Sequence, residues 1–147
     1  MSSPFVLLAA AGALLAALSP LQAAASDPPV AAPIHARLSG GDEIPPADAD
    51  GAGSLEARFN ETLDQLCYVL KVDRIDQPTA AHIHAGVLGE NGPPVVTLLA
   101  PANGTAQACA TLTAELAIKL SQHPERYYVN VHNAAHPNGA VRGQLGR

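Results

Sequence analysis

The stretch Ala81-His82-Ile83-His84-Ala85-Gly86 alternates histidine with small or apolar residues. Ile83 is β-branched and favours extended backbone. In a strand, alternate side chains share a face, so His82 and His84 stand side by side while Ile83 points the other way. A second stretch, Tyr127-Tyr128-Val129-Asn130-Val131-His132, repeats the pattern. Tyr128, Asn130 and His132 fall on one face, and Val129 and Val131 on the other. If the two strands bring their histidine faces together, three imidazoles converge on one point.

Outward from these two segments the chain reads as short strands broken by Gly and Pro. Ile34-His35-Ala36-Arg37-Leu38 alternates apolar and polar residues and predicts a first strand, with His35 on the solvated face. Ser54 to Phe59 alternates in the same way. Gln65 to Val72 is apolar on both faces, as expected of an inner strand. Val95 to Leu99 and Gln107 to Leu112 add two more. Thr113 opens the one helix, with Glu115 in its first turn, Leu116, Ile118 and Leu120 as apolar positions, and a stop at His123-Pro124. His123 there reads as a charge capping the helix end. Asn138-Gly139 predicts a hairpin that returns Ala140 to Leu145, placing Arg142 and Gln144 on a common face. The pattern predicts an all-β fold: an antiparallel, Greek-key-like β-sandwich with one short helix before the penultimate strand.

The N-terminus is of another kind. Residues 5–18 are almost wholly Ala, Leu, Val, Phe and Gly, too short a run to span a bilayer comfortably. Ala23-Ala24-Ala25 before Ser26 supplies a small-x-small cleavage pattern. We expect a signal peptide over residues 1–25, a Pro-rich linker over 26–33 and one domain over 34–147. An uncleaved anchor is the alternative, since Met1 to Pro4 carries no Lys or Arg. Export implies a periplasmic or secreted, extracytoplasmic location. The formal net charge of −5 and the lack of a basic run argue against nucleic acid or an anionic membrane as partner. No second long apolar segment follows the first.

Cys67 and Cys109 are the only cysteines. In an exported protein they could pair, closing a loop of about 40 residues worth roughly 4 kcal/mol on a chain-entropy account. Two separate buried thiols would fit the sequence as well.

Neutral imidazole is a good ligand for Cu(II), Zn(II) and Ni(II), and three of them on a rigid sheet leave an open coordination position. His82, His84 and His132 are the candidate ligands, with His136 in the following loop as a fourth. Asn130 shares a face with His132 and could orient a ring. Glu43 and Arg142 could join it in support. The same residues could instead build a hydrogen-bonded polar cluster with no ion. No Gly-x-Ser-x-Gly elbow, phosphate-binding loop or His-Glu-x-x-His is present, so no catalytic residues are nominated.

Five segments together resemble the CHRD domain, the module named from chordin. They are Leu38 to Pro46, Ala81 to Gly86, Asn91 to Val96, Tyr127 to His132 and Pro137 to Leu145. The likeness runs from about residue 34 to 147. It departs at Ala140, where the family usually has an acidic residue. The resemblance implies an all-β extracytoplasmic domain and says little about activity. The His-x-His strand is also similar to the copper-ligand strand of copper/zinc superoxide dismutases.

These readings converge on an exported module, more a binder than an enzyme, that holds copper or zinc through strand histidines. The alternative is an extracytoplasmic protein-interaction module whose histidines form an internal network. A dismutase-type redox enzyme is the third reading.

Overall fold

The computed structural model describes residues 32–60 and 64–147. The expected signal peptide and most of the linker lie outside the described residues.

Among the described residues eight strands form, at the segments whose alternation or apolar runs predict them. They are β1 (Ile34–Ser39), β2 (Ala52–Asn60), β3 (Gln65–Asp73), β4 (Pro78–Ala85), β5 (Pro94–Leu98), β6 (Thr105–Thr111), β7 (Tyr127–Asn133) and β8 (Val141–Gln144). Among the described residues a single α-helix, α1 (Ala114–Gln122), precedes β7. Thr113 caps it, its hydroxyl accepting from the Leu116 amide at 3.2 Å, which satisfies one otherwise unpaired donor of the first turn. His123-Pro124 ends it, because proline has no amide to continue the ladder. His123 is the C-cap residue, with Nδ1 3.1 Å from Glu125. Leu120 is fully buried, and Leu116 and Ala117 pack beside it, while Ile118 faces solvent. Among the described residues no helix is long and apolar enough to cross a membrane.

Every strand pair is antiparallel, and the eight strands make one sheet in the order β5-β4-β7-β8-β1-β2-β3-β6. The expected sandwich is thus realised as a continuous sheet that curls until its outer strands β5 and β6 approach each other, nearly a barrel. The Tyr68 hydroxyl of β3 accepts from the Leu99 amide at 2.7 Å and ties this side together. The halves join through β8 and β1, where Ser39 faces Arg142 and Gly146 exchanges backbone hydrogen bonds with His35. Gly143 allows this seam to close. A Cβ there would lie 2.2 Å from the Arg37 carbonyl oxygen, so only glycine lets the backbones meet.

Inward-facing Leu55, Leu66, Leu70, Ile83, Val129, Val131 and Val141 are all fully buried in one core. On β1 the alternation holds as read, with Ile34, Ala36 and Leu38 buried and His35 and Arg37 exposed. Cys67 and Cys109 face each other directly across β3 and β6 and are joined as a disulfide. Neither thiol is therefore free to bind metal.

Candidate metal centre

On β7 the two faces have opposite characters. Val129 and Val131 enter the core, while Tyr128, Asn130 and His132 point away from it. Across β4, His82 pairs with Asn130, His84 with Tyr128, and Ala80 with His132. His132 therefore sits diagonally from His82, within reach of a long side chain on the same face. Tyr128 and Asn130 are nonetheless buried. The face belongs to a second, polar layer outside the sheet and beneath its loops.

His82, His84 and His132 each offer a ring nitrogen, and these atoms lie within 4.8 Å of one another. His82 Nδ1 and His132 Nε2 are 3.1 Å apart. For comparison, a tetrahedral ion with metal–nitrogen bonds of about 2.05 Å spaces its ligand atoms about 3.4 Å apart.

The outer nitrogens are fixed by backbone. His84 Nδ1 lies 2.8 Å from the Gly92 carbonyl and His132 Nδ1 lies 3.0 Å from the Pro137 carbonyl. A carbonyl can only accept, so in both rings Nδ1 carries the proton and Nε2 keeps its lone pair. In His84 that Nε2 is buried and has no hydrogen-bond partner. Burial pushes the pKa values of His82 and His132 below the ordinary histidine value. The neighbouring imidazoles add to the effect, and only the Pro137 carbonyl opposes it at His132. Both rings are accordingly neutral at pH 7, the form that binds a metal. His84 is the most enclosed of the three, and His82 and His132 are only partly buried, so the cluster opens to solvent on their side.

His136 does not join the group. Its backbone amide bonds the Asn133 side chain at 2.7 Å, and its carbonyl accepts from Asn133 and Gly139 as part of the turn. The residue serves the loop that carries Pro137, and its ring is not among the converging atoms. Asn130 is buried between His82 and Arg142 in the register, yet its Oδ1 is without a partner. The task of orienting the rings, expected of side chains, falls to the carbonyls of Gly92 and Pro137.

Arg142 is 3 % exposed and lies over the Tyr128 ring, its guanidinium carbon 3.4 Å from the centroid. It donates to Asn91 Oδ1 at 2.8 Å and to the Glu90 carbonyl. Tyr128 also stacks on His84, with ring centroids 4.8 Å apart and planes 13° from parallel. Because β4 and β8 flank β7 on either side, His84 and Arg142 approach Tyr128 from opposite sides. Glu43 is buried against Gly139, whose φ of +135° and missing Cβ leave room for the carboxyl. Its pKa is pushed up to about 7 by burial, against the pull of Arg142. Tyr128, Gly92 and Pro137 are the site residues that sequence reasoning did not single out. For Tyr128 the signal was present, an aromatic on the histidine face of β7.

Compared with family models, residues 34–145 match the CHRD domain. No curated protein matches the chain.

Proposed function

The chain belongs to the CHRD domain family, and from that membership and the imidazole cluster we propose that it is an exported β-module that binds one transition-metal ion through His82, His84 and His132. The observation that carries this reading is His84 Nε2. It is a buried lone pair with nothing to accept from, on a ring locked by Gly92 and grouped with the imidazoles of His82 and His132. Buried polar atoms of this kind are rare unless a water or an ion satisfies them. A donor set of three neutral imidazoles, without carboxylate or thiolate, suits Cu(II) and Zn(II), and the usual affinity order puts Cu(II) first. Such a set leaves a coordination position facing solvent. The Cys67–Cys109 disulfide suits an oxidising, extracytoplasmic compartment, as does the apolar N-terminal segment.

The direct approach of His82 to His132 is the observation on the other side. It supports a module whose histidines satisfy one another and whose partner is an extracytoplasmic protein. Titration separates the two readings. Protein purified without a histidine tag is analysed for metal, then titrated with Cu(II) beside His84→Ala. The metal reading expects one tight equivalent in the wild type and its loss in the variant. Equal, weak binding in both rejects it. The network reading expects His84→Ala to lose stability by the same amount with or without metal.

A further inference from the structure

A guanidinium buried to 3 % exposure needs compensation for its lost hydration, yet among the described residues no carboxylate lies within ion-pair distance of Arg142, Glu43 acting on it only from farther away. Its compensation comes from the Tyr128 ring, Asn91 Oδ1 and the Glu90 carbonyl. Those contacts lead to His84 by two routes. Along the loop, Glu90 and Asn91 immediately precede Gly92, whose carbonyl accepts from His84 Nδ1 at 2.8 Å. Across the strand, the Tyr128 ring held beneath Arg142 lies nearly parallel to the imidazole, and its hydroxyl meets Gly92 N at 3.2 Å and Gly92 O at 3.4 Å. The carbonyl fixes rotation of the ring within its plane and the stack fixes the plane itself. Together they leave His84 Nε2 one direction.

We propose that Arg142 is the positioning residue of the histidine cluster, setting the tautomer and orientation of His84 through Tyr128 and the Glu90–Gly92 loop. The ligand role of His84 rests on the metal reading above, whereas the hold on its ring does not. Outer contacts of this kind typically carry 10- to 100-fold of metal affinity.

Two readouts test it, one free of metal. In the metal-free protein, long-range 1H–15N spectra of the imidazoles report each tautomer. The wild type is expected to hold His84 as a single Nδ1–H form, and Arg142→Gln to show an averaged one. Arg142→Lys keeps the charge but not the planar fork, and is expected to behave like Arg142→Gln. Asn91→Ala, at an exposed position, loosens the same loop and covers the case in which the buried variants do not fold. Cu(II) titration with electron paramagnetic resonance then expects about 10- to 100-fold weaker binding and altered hyperfine splitting in Arg142→Gln. A smaller shift in the same direction is expected in Asn91→Ala. A wild type with no tight copper site but a tautomer that depends on Arg142 rejects the metal reading and sustains the positioning role. A His84 tautomer and copper spectrum unchanged in every folded variant overturn the proposal.

Discussion

Replacing both Cys67 and Cys109 by alanine removes the one covalent link between β3 and β6 and leaves the seven-residue register between them to hold alone. The bond closes a loop with a sequence separation of 42. On the chain-entropy account a loop of that length costs the unfolded state about 13 cal/mol/K, or about 4 kcal/mol at 25 °C. For a domain of roughly 115 residues the unfolding entropy is about 0.24 kcal/mol/K, so the melting temperature should fall by about 16 °C. Scanning calorimetry of the double variant beside the wild type, with and without reductant, measures this directly. No residue of the histidine cluster stands on β3 or β6, so the variant should keep the copper affinity of the wild type at temperatures where it is folded. A fall of only a few degrees would refute the reasoning. The strand pairing would then already restrict the chain, and loop closure would not be the main contribution.

Glu43 predicts a pH dependence whose sign can be worked out. Its folded value of about 7 lies above the ordinary 4.5, so the native state binds more protons between those values. Its contribution to stability is present below about pH 4.5 and is lost as pH rises through about 7. Glu43→Gln should therefore gain on the wild type steadily from pH 4 to pH 8 in urea unfolding, and a difference that shrinks over this range would contradict the assignment. Leu70→Ala truncates a fully buried side chain on β3 and should cost about 2–5 kcal/mol in the same assay without changing copper binding.

Period-two alternation made the strands readable, because one buried face leaves a mark in every second residue, as in Ile34, Ala36 and Leu38. It also made the histidine cluster readable, since His82 and His84 share a face by pattern alone and β7 repeats that pattern. Strand order is another matter. Nothing local in β8 and β1 says that they join into a single curled sheet, since that depends on Gly143 lying against the Arg37 backbone. His136, a possible fourth ligand by sequence, stands outside the converging group because nearness in sequence does not fix where a loop side chain points, and here the loop uses its backbone. Gly92 and Pro137 gave no signal, because a carbonyl acceptor leaves no trace in residue type. Glu43 reads in the sequence only as a supporting residue, and its seat against Gly139 comes from a turn nearly a hundred residues later in the chain, out of reach of any local pattern.

The division of labour on β7 has an evolutionary consequence. Val129 and Val131 anchor the interior while Tyr128, Asn130 and His132 build the chemical layer, and the two sets are interleaved one by one. Point substitutions can alter either set separately, so the chemistry can drift while the scaffold persists. Insertion or deletion of one residue cannot, because it would turn histidine inward and valine outward in a single step. Across lineages this segment should accordingly tolerate exchanges of residue type far better than any change of length.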